Sequence, residues 1–342
     1  MKHYLITGGC GFIGSNLTSA LLADGHRVTV FDNLSRGGAR KNLDWLKSKD
    51  SPQFTYVSGD IRDMKSLEEL FNANRFDCVF HTAAQVAVTT SVTNPRDDFE
   101  INALGTFNVL EAVRLSGQKP PFFFTSTNKV YGGMEDVPVL DRGTQYDYDG
   151  LPLGVPESRL LDFHSPYGCS KGTADQYVRD YSRIYDIPAV VFRMSCQYGP
   201  RQFGNEDQGW VAHFVIAANR GDGLSVFGDG KQVRDILYVD DLVRAFRMAE
   251  SAIEKTKGRI FNIGGGRENV ISLLELIEQL ESLTGRKIPV SFGDWRPGDQ
   301  PVYISDIRLA EQVFGWKPQV SKTDGVTRLL EWVRQNEGLF GK

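Results

Sequence analysis

The sequence predicts an α/β fold, a doubly wound parallel sheet with a smaller α/β lobe beside it. Three observations lead to this prediction. Short apolar strands alternate with helical segments through the first 195 residues, which is the spacing of a parallel sheet covered on both faces. A glycine-rich turn joins the first strand to the first helix. After Arg193 the alternation stops, and glycine-rich loops and amphipathic helices follow.

Length and composition limit the class of protein. A chain of 342 residues is long enough for two domains, and its 41% hydrophobic and 24% charged residues are ordinary for a globular protein. A net charge of −4 argues against nucleic acid or an anionic membrane as a partner, and no apolar run is long enough to span a bilayer. The strand pattern begins at His3, so we expect no signal peptide. The four cysteines form no C-x-x-C pair or Cys/His cluster, so we expect no disulfide, no metal and a reducing cytoplasm.

The turn after the first strand has the spacing of a dinucleotide-binding loop. His3 to Thr7 has the pattern of a buried strand and Phe12 to Ala23 that of a helix, with Gly8, Gly11 and Gly14 between and within them. Gly8 permits the turn, Gly11 lets a pyrophosphate approach the backbone, and Gly14 lets helix and strand pack closely. The phosphates would then lie at the positive end of the helix.

The second strand, Arg27 to Asp32, ends in an acid that bears on the choice of cofactor. Asp32 stands eighteen positions after Gly14. A carboxylate there binds the adenosine ribose hydroxyls and repels a 2′-phosphate, so the sequence favours NAD over NADP. Arg36 nearby is the one residue that argues the other way.

Further segments continue the alternation. The predicted strands are 53–58, 77–82, 121–126 and 188–193, and the predicted helices are 63–74, 97–116 and 167–185. In such folds ligands bind beyond the carboxyl ends of the strands. The polar residues at or just beyond those ends are Thr7, Asp32, Asp60, Thr82, Thr127 and Arg193.

The remainder of the chain divides between the sheet and the lobe. Segments 210–219, 272–284, 306–314 and 324–334 have helical patterns, as does 239–252, and 260–263 is a strand that rejoins the sheet. We therefore expect residues 1–195 and about 237–263 to form the dinucleotide-binding domain. About 196–236 and 264–342 would form the substrate-binding lobe. The long irregular stretch 132–165 indicates a functional loop or lid, with disorder as the alternative.

Tyr167 and Lys171 are candidates for acid–base chemistry. They are four residues apart, so on a helix both side chains project from one face. A nearby ammonium favours the phenolate, so we expect Lys171 to lower the pKa of Tyr167 from its usual value of about 10. The phenol could then take a proton from a sugar hydroxyl, with the Thr127 hydroxyl beside it. Taken alone, the pair also fits a partly exposed face of an ordinary helix. The cofactor-binding pattern of the preceding residues is what favours a catalytic site.

Four segments resemble the extended short-chain dehydrogenase/reductase family, the nucleotide-sugar epimerases and dehydratases. They are T-G-G-C-G-F-I-G from Thr7, F-D-N-L-S-R from Phe31, S-T-N-K-V-Y-G from Ser126 and S-P-Y-G-C-S-K from Ser165. The resemblance covers nearly the whole chain. It implies a Rossmann domain with NAD as cofactor and a catalytic set of Thr127, Tyr167 and Lys171.

The same resemblance implies the binding residues. Those for NAD are Gly8, Gly11, Phe12, Ile13, Gly14, Asp32, Asn33, Ser35, Arg36, Asp60, Ile61, Thr82, Ala83, Ala84, Asn102, Thr125, Tyr167 and Lys171. Those for the nucleotide sugar are Thr127, Asn128, Lys129, His164, Cys196, Gln208, Trp210, Arg234, Arg296 and Asp299. In this second set, the resemblance implies that Arg234, Arg296 and Asp299 bind the diphosphate and the ribose of the nucleotide. A homodimer or homotetramer is also implied, with helices 97–116 and 167–185 pairing between subunits.

Within the family, segments 126–132, 161–171, 207–210 and 230–235 resemble the CDP-paratose 2-epimerases, also called CDP-tyvelose epimerases. This implies that NAD removes a hydride from C2 of a CDP-hexose. The 2-keto sugar turns in the pocket, and the hydride returns to the opposite face.

Three alternatives remain at this point. Many relatives carry Asn in an R-x-x-N-x-x-G segment where this chain has Cys196, which argues against a UDP-hexose 4-epimerase. A nucleotide-sugar dehydratase is disfavoured because Asn128 and Lys129 occupy the place of an acid pair. A non-catalytic NAD sensor would not need the Thr/Tyr/Lys set.

Overall fold

The strands of the chain were located in a computed structural model that describes residues 1–296 and 299–340. In chain order they are β1 (His3–Thr7), β2 (Arg27–Asp32), β3 (Phe54–Ser58), β4 (Cys78–His81), β5 (Phe122–Thr127), β6 (Val139–Asp141), β7 (Tyr146–Tyr148), β8 (Ala189–Met194), β9 (Cys196–Tyr198), β10 (Leu224–Phe227), β11 (Val233–Tyr238), β12 (Ile260–Ile263), β13 (Val270–Ser272), β14 (Val290–Gly293) and β15 (Val302–Tyr303).

The α-helices are numbered in the same way. They are α1 (Phe12–Ala23), α2 (Ala39–Lys47), α3 (Met64–Ala73), α4 (Val88–Thr93), α5 (Pro95–Phe99), α6 (Gly105–Ser116), α7 (Ser165–Tyr185), α8 (Trp210–Arg220), α9 (Val239–Ser251), α10 (Ile253–Thr256), α11 (Leu273–Thr284), α12 (Arg308–Phe314) and α13 (Lys322–Gln335). A π-helical turn, Glu100–Leu104, joins α5 to α6. No helix within these described ranges is long and apolar enough to cross a membrane.

Seven strands form one parallel sheet in the order β12-β8-β5-β4-β1-β2-β3. From β1 the chain adds β2 and β3 on one side of the sheet and then returns to add β4, β5, β8 and β12 on the other side. Beside β1 lies the topological switch point at which doubly wound sheets bind ligands. The predicted fold class is therefore confirmed, and the carboxyl ends of β1, β2, β4 and β5 meet at one edge.

Helices cover both faces of the sheet because side chains along each strand alternate between faces. Along β1, Tyr4 and Ile6 enter a core with α1, α2 and α9, while Leu5 enters the opposite core with α3, α6 and α7. The first core also takes in Ala310 and Phe314 of α12. The predicted division gave residues 264–342 to the lobe, but α12 packs on the sheet because its apolar face completes this core.

The smaller lobe has its own core, built from α8, α11 and α13 with β10 and the end of β11. Two further sheets belong to this part: β10 pairs with β14, and β11 pairs with β9, β13 and β15. The N-terminus of α8 and the carboxyl end of β5 face one cavity between the lobe and the large sheet.

The stretch 132–165 is ordered, so the alternative of disorder is wrong. It contains the hairpin β6–β7, and Val155 is fully buried with its amide donating to the Ile304 carbonyl. Tyr148 donates to the Val302 carbonyl at 2.6 Å. The segment is thus part of a fourth core cluster that joins the two parts of the molecule.

Candidate active site

The turn after β1 forms one end of a cleft of about 460 Å³ along the carboxyl ends of β1, β2 and β4. Gly8 has φ +70, and a Cβ there would lie 2.5 Å from the backbone nitrogen of Ala83. A Cβ on Gly14 would lie 2.4 Å from the Gly8 carbonyl oxygen. No side chain caps α1, so the amides of its first turn are free to bind an anion. The cradle fits a pyrophosphate.

Acidic side chains line the other end of this cleft. Asp32 is half-buried and accepts hydrogen bonds from the amides of Cys10 at 2.9 Å and Leu34 at 2.7 Å, while burial raises its pKa. Asp60 accepts from Asn33 at 2.8 Å and forms an ion pair with Arg62, which holds the Asp60 pKa at about 2. Asp60 is therefore charged at neutral pH, and the Asp32 oxygens are oriented by the backbone amides, where they could accept hydrogen bonds from ribose hydroxyls.

Most of the residues predicted to bind NAD lie on this cleft. They are Gly8, Gly11, Phe12, Ile13, Gly14, Asp32, Asn33, Ser35, Arg36, Asp60, Ile61, Thr82, Ala83 and Ala84. Four predicted residues do not line it, one of which, Tyr167, lines the neighbouring cavity instead. Asn102 and Thr125 lie below the surface, bonded to Gln85 and to the His81 carbonyl, and Lys171 is 2% exposed.

Tyr167 lies in the first turns of α7 and lines the neighbouring cavity together with Thr127 at the end of β5. Burial raises the pKa of Tyr167 to about 12, although a hydrogen bond with Thr127 and the charge of Arg36 act in the opposite direction. The predicted lowering of the Tyr167 pKa by Lys171 is wrong for this arrangement. The loss of water around the phenol outweighs the favourable charges.

The ammonium of Lys171 is directed away from solvent. It donates to the Thr125 carbonyl at 2.6 Å and lies 4.2 Å from the centre of the Phe124 ring. Burial lowers its pKa to about 7, an effect that Asp175 and Asp98 partly offset. Lys171 is thus held beneath Tyr167 by the strand on which α7 packs.

The second cavity, of about 380 Å³, lies between the sheet edge and the lobe. Phe12 and Ile13 line both this cavity and the cleft, so the two spaces meet at the start of α1. Nine of the ten residues predicted to bind the nucleotide sugar line the cavity: Thr127, Asn128, Lys129, Cys196, Gln208, Trp210, Arg234, Arg296 and Asp299.

Three cations make this cavity suitable for an anion. Arg234 donates to Asp299 at 2.6 Å and to the Gln300 carbonyl at 2.7 Å. Arg296 stacks on the Phe227 ring at 3.9 Å. Burial and, to a smaller extent, the charge of Arg234 lower the pKa of Lys129 to about 8. A bound diphosphate would relieve the repulsion between these groups.

Two predicted polar residues lie elsewhere. His164 does not line either cavity. It is the residue directly before α7, and its ring faces its own loop, where Nε2 lies 3.3 Å from Asp162 Oδ2. Arg193, at the end of β8, forms a buried bidentate pair with Asp175 and donates to the Tyr131 hydroxyl. The guanidinium therefore holds α7 to the sheet.

Several cavity residues were missed from the sequence. Gln202 and Gln232 are 6% and 3% exposed, and each has a side-chain oxygen without a hydrogen-bond partner. Val86 and Thr89, beside the start of α4, also line the cavity. The polar segment after Arg193 was the only sequence signal for Gln202. Within residues 1–296 and 299–340, no group of three or more His, Cys, Asp and Glu side chains is placed to hold a metal ion.

Comparison with known proteins identifies this arrangement. The model of the GDP-mannose 4,6 dehydratase family matches residues 5–329. The CDP-paratose 2-epimerase of Salmonella typhi is 45% identical over 333 residues, 96% of this chain and 98% of that protein.

This chain belongs to the extended short-chain dehydrogenase/reductase family.

Two solved structures of the family show the same fold over the whole chain. The UDP-glucose 4-epimerase of Thermotoga maritima, solved with UDP-glucose, has a TM-score of 0.85 at 34% identity, covering 98% of this chain and 99% of that one. The dTDP-glucose 4,6-dehydratase of Streptomyces venezuelae, solved with NAD, has a TM-score of 0.85 at 30% identity and covers 99% of both chains. The protein is an NAD-dependent isomerase of nucleotide sugars.

Proposed function

We propose that the protein inverts C2 of a CDP-linked hexose, converting CDP-paratose to CDP-tyvelose through a transient 2-keto sugar. The observation that carries the chemistry is the position of Tyr167 and Thr127. Their hydroxyls are hydrogen-bonded and line the cavity next to the end that it shares with the cofactor cleft. A sugar carbon held there has an acid–base group on one side and the cofactor cleft on the other.

Each residue of the catalytic set has a distinct part in this proposal. Thr127 and Tyr167 hold the sugar hydroxyl, and Tyr167 takes its proton and later returns it. Lys171, one turn further along α7, donates to the Thr125 carbonyl and so holds the start of this helix against β5. NAD, when bound, supplies hydride acceptance and return. Because the cycle has no net redox change, the cleft must retain the cofactor throughout.

The cations of the second cavity support a nucleoside diphosphate as the fixed part of the substrate. Arg234 and Arg296 reach it from β11 and from the segment after β14, and both are already oriented by protein contacts. A guanidinium so held loses little freedom on binding phosphate. The sugar would then turn about the bonds to the anchored diphosphate while the nucleotide stays in place.

The choice of C2 and of CDP rests on the 45% identity with the CDP-paratose 2-epimerase of Salmonella typhi. The main alternative is a UDP-hexose 4-epimerase, since the enzyme from Thermotoga maritima shares the fold at 34% identity. Asn128 and Lys129 line the cavity directly after Thr127 and offer no carboxylate for a dehydration. This favours epimerisation over loss of water.

A substrate panel tests the proposal. CDP-paratose, CDP-glucose, UDP-glucose and dTDP-glucose are incubated separately with the purified protein, and the sugar signals are followed by NMR. We expect CDP-paratose to approach equilibrium with its C2 epimer, and the Tyr167→Phe variant to show little turnover. Turnover of UDP-glucose at C4, with CDP-paratose unchanged, would replace the proposal by the alternative.

We also propose a homo-oligomer that assembles through α6 and α7. Both helices expose large apolar side chains, Leu115 of α6 and Tyr177 and Ile184 of α7, and Phe99 of α5 lies exposed on the same polypeptide segment. A second copy of the same surface would cover them. A reducing cytoplasm is the proposed location, because all four cysteines are free thiols.

A further inference from the structure

A segment of the lobe forms one wall of the cofactor cleft. Residues 200–205 lie between β9 and α8, and five of the six line the cleft: Arg201, Gln202, Phe203, Gly204 and Asn205. The glycine turn and the loop after β2 line the same cleft. The sequence analysis assigned none of these five residues to the cofactor. The large sheet alone therefore does not complete the cleft, because the lobe supplies this wall.

Asparagine side chains of α1 and α2 hold the backbone of the segment. Asn16 Nδ2 donates to the Pro200 carbonyl at 2.9 Å, and Asn42 Nδ2 donates to the Arg201 carbonyl at 3.3 Å. The same Asn42 amide donates to the carbonyl of Cys10, in the glycine turn, at 3.1 Å. Arg201 has φ +68, a conformation that its side chain disfavours and that persists only where surrounding contacts determine it. The segment is thus fixed to the turn that would hold the pyrophosphate.

The side chain of Arg201 joins the segment to both parts of the molecule. Its guanidinium carbon lies 4.2 Å from the centre of the Trp45 ring in α2 and 5.6 Å from that of Trp332 in α13. A guanidinium is attracted to the face of an aromatic ring. Because α2 packs on the large sheet and α13 in the core of the lobe, this stacking holds the wall between them.

Phe203 closes the segment against the start of α2. Its ring lies on bare backbone at Gly38, which has φ +87, and a Cβ on Gly38 would overlap the ring. Gly38 directly precedes α2 and follows the loop in which Ser35 and Arg36 line the cleft. The ring also packs on that of Phe340, with 5.6 Å between the ring centres. Phe203 therefore connects the wall from the lobe to the loop on which several predicted NAD-binding residues lie.

We propose that residues 200–205 are a retaining segment, which holds NAD in its cleft because the contact of Phe203 with Gly38 keeps the segment against α2. A dinucleotide bound between the glycine turn and this segment leaves only when these contacts separate. Retention serves a redox-neutral reaction, because reduced cofactor that escapes leaves behind a keto sugar and an enzyme without its hydride carrier. That consequence rests on the proposed function, whereas the retention itself does not.

Exchange of bound cofactor tests the proposal without any substrate. The protein with its bound NAD is diluted into a large excess of isotope-labelled NAD, and the label in the bound fraction is followed by mass spectrometry after denaturation. Phe203→Ala removes the ring that contacts Gly38, so we expect exchange to become about tenfold faster or more. Phe292→Ala is the control: it removes an exposed ring of the lobe that lines neither cavity, and it should exchange at the wild-type rate.

Exchange at the wild-type rate in a folded Phe203→Ala protein would overturn the proposal. Equal acceleration in Phe292→Ala would also overturn it, because it would show a general loosening of the lobe. Gly38→Ala gives a second measurement, since its Cβ displaces the ring while Phe203 remains in the chain. If Phe203→Ala does not fold, unchanged exchange in Gly38→Ala is the result that overturns the proposal.

Turnover gives a second readout, which a merely structural role of Phe203 would not change. If NADH escapes from Phe203→Ala, activity on the nucleotide sugar should decay during the reaction and recover when NAD is added. Free NADH should then appear in the filtrate, where its fluorescence detects it. A constant rate without added NAD would overturn the proposal. If the wild type turns over no nucleotide sugar, the proposed function fails, while the exchange measurement still decides this inference.

Discussion

The phenol of Tyr167 is subject to opposing effects at the residue scale. Its burial disfavours the phenolate and raises its pKa to about 12, while Thr127 and Arg36 favour the charged form. Each pKa unit corresponds to about 1.4 kcal/mol between the two protonation states. The resting enzyme therefore keeps Tyr167 protonated, and on this account the bound cationic nicotinamide would bring the pKa down when the proton must leave.

Replacement of Tyr167 by Phe tests its role as the base. The ring and its packing remain, so the melting temperature should stay close to that of the wild type, while turnover falls roughly 10²–10⁴-fold. Stopped assays of nucleotide-sugar epimerisation and thermal unfolding measure the two effects. Tyr177→Phe is the matched control, since that phenol is exposed on the same helix. A Tyr167→Phe enzyme with near-normal rates would mean that another group carries the proton.

Most of the residues predicted from residue spacing and the family resemblance line the two cavities, but their electrostatic state was not predicted. The glycines, Asp32 and the Tyr167–Lys171 pair are recognisable because each depends on a local turn or helix period. The pKa of Tyr167 was predicted in the wrong direction because burial depends on how α7 packs on β5, which is a contact between distant parts of the chain.

At the scale of elements, the close packing of α1 on the turn after β1 leaves no room for a side chain at Gly14. Gly14 in the first turn of α1 packs on the backbone of Gly8 and Gly9. This contact brings the free amides of α1 to the cofactor cleft. A side chain at this position would separate the strand from the helix.

Gly14→Ala should therefore reduce NAD retention. Its Cβ would lie 2.4 Å from the Gly8 carbonyl oxygen, and relief of the clash must move backbone, so we expect a loss of about 1–3 kcal/mol in stability as well. The wild type should purify with NAD, which mass spectrometry of the denatured protein identifies. Gly338→Ala, with open space at the Cβ position, is the control. Full NAD occupancy in Gly14→Ala would show that the cradle tolerates a methyl group.

Periodicity predicted most long elements to within one or two residues and failed for the short ones. The predicted helix 97–116 is in fact α5, the π-helical turn and α6, because hydrophobic spacing does not distinguish a π-helical turn from an α-helical one. The strands β6, β7, β13 and β15 have two or three residues each, too few for a period. β13 and β15 pair with the distant β11, whereas β6 and β7 pair with each other in a hairpin.

At the scale of the whole molecule, the two cavities adjoin at the start of α1, and large apolar side chains remain exposed on α6 and α7. Ile184 and Leu115 are 63% and 57% exposed on α7 and α6. The same α7 carries Tyr167 and Lys171 near its beginning. Association through this surface would fix the helix that bears the catalytic set.

Introduction of charge on this surface tests the association. Ile184→Glu should weaken the oligomer and lower its sedimentation coefficient towards that of a monomer, because a buried unpaired carboxylate is strongly unfavourable in an interface. Leu160→Glu is the control, as Leu160 is 84% exposed in the 132–165 segment. Equal sedimentation of both variants and the wild type would indicate that α7 is not in the interface.

The overall division into sheet and lobe followed from the break in alternation after Arg193, but two features of it did not. The return of α12 to the sheet and the ordered packing of residues 132–165 both depend on cores that form only in the folded chain. A sequence with no strand–helix rhythm in these regions gives no local signal of where they pack.

The fate of a deuterium label at C2 tests most directly the central claim, that C2 is inverted by removal and return of a hydride. CDP-paratose deuterated at C2 is brought to equilibrium with the enzyme in ordinary water, and the product is examined by NMR and mass spectrometry. We predict that the product is inverted at C2 and keeps the deuterium there, because the hydride that leaves is the one that returns. Loss of the label to solvent, or inversion at C4 with C2 unchanged, would contradict the account.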